Sequence, residues 1–336
     1  MPTFCRHNRL VQNCPICARE QDVALRPVVS PGGRGAAPSR PSGSAASTGS
    51  PRSPRARAGA GSGRSGAGLT VRRLVRGAED GYRSDLVPGL KSGADAERLA
   101  EELAYACARL ARLALDPPGL YAEVADAAGD LEERSWLAFL IAYLGPLDGE
   151  TPFAAIELAR TSWSSGEVPE LDGIEIGPRG SHEPGRGQRT IAAYRSWVAR
   201  AGSQAAAFGG EPAWTPERRF ARAFERLALP GFHRGARFDL LTTLGQLGVY
   251  ELRAGALALG SPDEVTLAAK RLLGIGDPML LERRAADLAA ACELPLEALD
   301  VGFYNWERGT RSALGMAPSL EPDPARLSTA RAALGL

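Results

Sequence analysis

The sequence predicts an all-α protein, and three observations carry that expectation. After residue 70, apolar residues recur at three- and four-residue spacing through most of the chain. Alternating β-branched runs are nearly absent. N-cap residues and first-turn prolines precede several of the periodic stretches. The expected organisation is a helical domain over residues 71–336, either one body or two lobes (71–163 and 189–336) joined by a 164–188 loop. Ahead of it lie a linker, 21–70, and a short N-terminal module, 1–20.

The module is defined by Cys5-x-His7-x6-Cys14-Pro-Ile-Cys17, which places three of the chain's five cysteines within 13 residues. A two-residue spacing lets one turn present two thiolates to a single ion, and Cys5 and His7 supply the other half of a tetrahedral set. A segment this short has no hydrophobic core, so metal binding would itself be its folding energy. The expectation is a structural Zn²⁺ knuckle ligated by Cys5, His7, Cys14 and Cys17, closed and therefore not catalytic. The following segment, 21–70, is Gly, Ser, Pro, Ala and Arg with almost no large apolar residue, a composition that cannot offset its chain entropy. It is expected to be a disordered tether carrying seven arginines against Asp22.

In the helical domain, Ser92 and Asp95 stand at capping-box spacing before Leu99, Leu103, Ala106, Leu110 and Leu113, and Pro117-Pro118 ends the run. Leu131, Trp136, Phe139, Leu140 and Tyr143 form a stripe wide enough for a buried helix. Thr151-Pro152 and Thr215-Pro216 read as N-cap followed by Pro at the first helical position, and Ser261-Pro262-Asp263-Glu264 repeats that logic. Helices are expected at 152–163, 189–201, 215–228, 236–248, 263–273, 278–292, 296–306 and 323–334. The 164–188 loop is Gly/Pro-rich and long enough to be either functional or disordered.

Bulk properties narrow the function classes. Net charge is +1, which gives no global electrostatic attraction to nucleic acid, so a basic surface must be local. No apolar run reaches the roughly 18 residues of a membrane span, and the N-terminus lacks a secretory apolar core, so a cytoplasmic location is expected. Cys107 and Cys292 lie on apolar helix faces and read as core.

The segment most informative about activity is Lys270-Arg271-Leu272-Leu273-Gly274-Ile275-Gly276-Asp277-Pro278. A capped helix runs into Leu-Gly-Ile-Gly, and a second helix starts at Pro278. This resembles the helix-hairpin-helix turn, whose glycines allow close approach to a phosphate and whose amides suit its oxygens. It implies DNA contact by Gly274, Ile275, Gly276 and Lys270. In helix-hairpin-helix DNA glycosylases an aspartate about twenty residues past the hairpin stabilises positive charge on the deoxyribose. Asp300 occupies that place here and is the expected catalytic carboxylate. Tyr304 and Trp306 are the candidates for a flipped-base pocket. The position where strand-cleaving members carry a lysine is Pro278, so any glycosylase activity is expected to leave an intact abasic site.

Phe4-Cys5-Arg6-His7-Asn8-Arg9 with Cys14-Pro15-Ile16-Cys17, Ala201-Gly202-Ser203-Gln204, Trp214 to Phe220, and Gly274-Ile275-Gly276-Asp277 with Leu280 to Leu288 together resemble the alpha-glutamyl/putrescinyl thymine pyrophosphorylase family, clade 3. The resemblance implies a helical DNA-glycosylase-like fold. It also implies action on a flipped, modified pyrimidine in DNA, by base excision or by exchange of the 5-substituent, in a setting of phage-type hypermodified thymine or phage defence. The competing reading is a non-catalytic DNA-binding or scaffold protein, which an Asp300 paired with arginine in the core, far from any cleft, would favour. A third reading places a histidine-based site in the 164–188 loop at His182 and Glu183, or at His233 in Pro230-Gly231-Phe232-His233-Arg234; an isolated loop histidine is more often a surface residue.

Overall fold

The computed structural model describes residues 77–336. The chain divides into two units, Met1–Gly68 and Leu69–Leu336. The expected zinc knuckle and linker lie outside the described residues, and the architecture below is that of the second unit.

Among the described residues there are twelve helices and no strand, so the domain is all-α. They are α1 (Gly93–Leu115), α2 (Leu120–Ala125), α3 (Leu131–Leu144), α4 (Ala154–Ala159), α5 (Gly187–Ala201), α6 (Gln204–Gly209), α7 (Pro216–Arg226), α8 (Arg234–Gln246), α9 (Glu264–Leu273), α10 (Pro278–Ala291), α11 (Leu296–Arg308) and α12 (Pro324–Leu334). The Leu99–Leu113 stripe of α1 is buried, α1 packs against α11 and α12, and α9 also packs against α11. Helix α3 is buried from Ser135 to Leu144 and packs against α2, α4, α6 and α8. No helix among the described residues is long and apolar enough to cross a membrane.

Local signals set most boundaries. Thr215 accepts a hydrogen bond from Arg218 N, Asp277 from Leu280 N, and Asp323 from Ala325 N and Arg326 N, each followed by Pro at the first helical position. Three expectations differ in detail. Thr151-Pro152 forms a turn, in which Thr151 O accepts from Ala154 N and Pro152 O accepts from Leu147 N, so α4 starts two residues later than expected. The cap of α9 is Asp263, which accepts from Thr266 N, rather than Ser261. Ser92 sits at the N-cap of α1 without a side-chain cap bond.

Helices α2 and α6 were not anticipated, since six residues are too short to show a period. Helix α6 is held instead by a distant group. The Glu132 carboxylate accepts from Gln204 N at 2.9 Å and Ala205 N at 3.0 Å, placing negative charge at the helix N-terminus.

Candidate functional site: an arginine-lined cleft

The 164–188 segment contains no helix until Gly187, yet its second half is firmly placed. Gly177 N donates to Leu144 O at 3.0 Å, and Ser181 N donates to Tyr143 O at 2.7 Å, which satisfies carbonyls left open at the end of α3. The approach is close enough to need glycine. A Cβ on Gly177 would fall 2.1 Å from Pro146 O, and one on Gly180 would fall 2.2 Å from Leu144 O. Ser181 Oγ then accepts from His233 N at 2.9 Å, which ties the loop to the start of α8.

This anchoring carries Arg179 into the interior. Its Nε donates to Asp239 Oδ2 and its Nη2 to Asp300 Oδ1, both at 2.5 Å. Arg234, the first residue of α8, pairs through Nη2 with Asp300 Oδ2 at 2.5 Å and also donates to Leu257 O. Asp300 is 0% exposed, and each of its oxygens faces a guanidinium. Burial works against the charge on Arg179, but the Asp239 and Asp300 carboxylates outweigh it and hold its pKa above the ordinary value. The Arg179 guanidinium lies 4.7 Å from the Tyr304 ring centroid, and Tyr304 donates its hydroxyl proton to Pro178 O. Burial raises the Tyr304 pKa, so the phenol stays neutral.

Above this cluster opens a cleft of about 590 Å³, whose wall includes Arg179, Arg234, Arg237, His233, Asp263 and Tyr304. The first turns of both α8 and α9 border it. Asp263 caps α9, but the His233 side chain does not cap α8. The amides of Arg234, Gly235 and Ala236 find no protein acceptor among the described residues. Among the described residues, Arg234 Nη1, Asp263 Oδ2 and Asp300 Oδ2 are buried without a hydrogen-bond partner, and Arg234 Nη1 lies 3.4 Å from Asp263 Oδ2. Burial and the neighbouring Arg234 charge lower the pKa of Arg237. Unsatisfied amides at a helix N-terminus beside clustered guanidiniums are a candidate site for an anion, in a cleft that Asp263 and Glu264 also line. At its rim, His233 Nε2 lies 3.3 Å from Glu183 Oε1.

The expected site residues distribute unevenly around this geometry. Tyr304 lines the cleft. Asp300 lies beneath the cleft wall, engaged by the two arginines. Trp306 turns away toward α1, 1% exposed, with Nε1 donating to Asp95 O at 3.0 Å. Gly274, Ile275 and Gly276 join α9 to α10: Gly274 is the left-handed C-cap, Ile275 packs against the core, and Gly276 and Lys270 are exposed. The hairpin and the cleft occupy opposite ends of α9, roughly 15 Å apart at 1.5 Å per residue over its 10 residues. Cys5, His7, Cys14 and Cys17 lie outside the described residues, among which no cluster of three or more potential ligands could hold a metal ion.

Sequence reasoning did not single out Arg179, Arg234 or Arg237. Their one legible signal was position, in or beside the Gly/Pro-rich segments flagged for His182 and His233. With only two lysines in the chain, arginine is the default cation and an arginine by itself carries little information.

The fold and cleft thus define a helical protein with an arginine-lined cleft that is a candidate anion site. Residues 181–310 match the family model described as Alpha-glutamyl/putrescinyl thymine pyrophosphorylase clade 3, the same family that the sequence motifs resemble. The matched stretch contains Arg234, Arg237, Asp300, Tyr304 and the α9–α10 hairpin, and begins two residues after Arg179. No curated protein and no solved structure matches the chain.

Proposed function

We propose that this protein is an enzyme acting on a modified thymine in DNA, and that it exchanges the substituent on the C5 methylene, with pyrophosphate bound in the cleft. The observation that carries this reading is the anion site itself: Arg234, Arg237 and the open amides of α8 all border one cleft. Exchange requires cationic groups to receive the charge that builds on departing pyrophosphate. Excision would instead require a carboxylate presented to the sugar, and Asp300 is 0% exposed, with Oδ1 accepting from Arg179 and Oδ2 2.5 Å from Arg234 Nη2. In this reading Asp300 is a positioning residue, which fixes Arg179 and Arg234 rather than touching the substrate. Tyr304 offers a face against which a flipped pyrimidine can rest. The α9–α10 hairpin, with Lys270, Gly274, Ile275 and Gly276, is the proposed contact to the DNA backbone. The N-terminal Cys5, His7, Cys14 and Cys17 set is proposed as a structural zinc site, on its spacing and donor chemistry alone.

The alternative of a non-catalytic DNA-binding scaffold draws support from the burial and pairing of Asp300. The cleft directly bordered by the same arginines favours the enzyme. The test is incubation of a duplex containing 5-(pyrophosphomethyl)uracil with the protein and putrescine, followed by mass spectrometry of nucleosides and free bases. The expected result is an aminated nucleoside with its glycosidic bond intact and pyrophosphate in solution. Release of a free base would replace exchange by excision, and an unaltered duplex would favour the scaffold.

A further inference from the structure

Resting on the exchange reading, we propose that His233, oriented by Glu183, is the general base that takes the proton of the incoming nucleophile, a primary amine. His233 borders the cleft one residue before the open amides of α8. The side chain is not spent on structure. It is exposed, it does not cap α8, and its backbone N–H is held separately by Ser181 Oγ. Glu183 Oε1 lies 3.3 Å from His233 Nε2, while Glu183 Oε2 accepts from Arg186 Nη1 at 2.5 Å, which steadies the carboxylate. A carboxylate on one ring nitrogen sets the tautomer and leaves the other nitrogen basic.

Exposed ion pairs of this kind contribute little to stability, so the pairing alone would mean nothing; the place of His233 on the cleft wall distinguishes it. The chain's other described histidine, His182, is unsuited to the role. It is buried, and its Nδ1 is engaged by the Tyr143 hydroxyl at 3.0 Å.

The step balances without a further reactant. The amine nitrogen forms a bond to the C5 methylene carbon. The bond from that carbon to the pyrophosphate oxygen breaks, and its electron pair leaves on pyrophosphate toward Arg234 and Arg237. Before attack the incoming ammonium gives one proton to the imidazole nitrogen that Glu183 does not hold, the imidazolium later loses it to solvent, and the product leaves as the secondary ammonium.

The test compares wild type, His233→Ala, His233→Gln and Glu183→Gln on the pyrophosphomethyl duplex under single turnover, with DNA and pyrophosphate binding measured alongside. The expected result is an amine-transfer rate at least ~100-fold lower in both His233 variants, the scale of general base catalysis, with both binding constants and the melting temperature unchanged. Added imidazole restores part of the His233→Ala rate. Methoxyamine, which is largely unprotonated at neutral pH, reacts at nearly the same rate with variant and wild type. Glu183→Gln shows a smaller loss. Unchanged putrescine transfer in both His233 variants would overturn the base assignment and leave the exchange reading standing. A wild-type protein that releases no pyrophosphate would overturn both.

Discussion

Replacing Asp300 with Asn removes one negative charge from between two buried guanidiniums while barely changing shape. The amide oxygen can still accept from one arginine, but the amide nitrogen then presents hydrogens to the other, which has only hydrogens to offer. Breaking a buried pair by removing one partner costs about 3–5 kcal/mol. The lower end applies here, because Arg179 keeps Asp239 at 2.5 Å and Arg234 keeps the Leu257 carbonyl. For a domain of this size, about 3 kcal/mol lowers the melting temperature by on the order of 5–10 °C. Differential scanning calorimetry measures that shift, and exchange assayed well below the new transition measures the loss of arginine positioning. Both should fall together, with pyrophosphate binding weakened. Asp300→Asn with an unchanged melting temperature but abolished reaction would refute the reasoning, since the carboxylate would then be acting on the substrate directly. Full activity with an unchanged melting temperature would remove the cluster from any role.

Two further outcomes follow from the same structure. The Glu133 carboxylate accepts from Ser162 Oγ, Trp163 N and Ser164 N; partial burial raises its pKa, but these bonds outweigh it and bring it from 4.5 to about 2. A lowered folded pKa means that the stabilisation is complete above about pH 4.5 and is lost as pH falls toward 2, and solvent screening limits it to about 1 kcal/mol. Glu133→Gln should flatten that part of the acid-stability curve, as followed by urea denaturation across the range. At Gly89, whose N–H donates to Leu272 O at 2.9 Å, an added Cβ would sit 1.7 Å from the Arg271 carbonyl oxygen. Gly89→Ala should therefore cost about 1–3 kcal/mol by thermal melting and weaken DNA binding, because the displaced backbone leads directly into Gly274.

The sequence by itself determined what local interactions determine. The Leu99–Leu113 stripe, the Thr215-Pro216 cap, the helix start at Pro278 and the Gly274 stop were legible because each depends on residues within a turn or two of chain. The same locality explains where reading failed. Pro152 closes a turn instead of opening a helix because its carbonyl accepts from Leu147 N, and α6 exists because Glu132, 72 positions away, satisfies its first amides.

For the candidate site, Tyr304 and Asp300 were named from the sequence, but not what Asp300 meets. Its partner Arg179 lies 121 positions away, and the pairing exists only because a Gly/Pro-rich loop is pinned to the end of α3. Likewise, His233 and Glu183 were separate candidates in the sequence, and only the fold made them a pair. Periodicity reports which face of a helix is buried but is silent about what it is buried against. In a chain whose positive charge is almost all arginine, the few guanidiniums that gather around one cleft are chosen by tertiary structure alone.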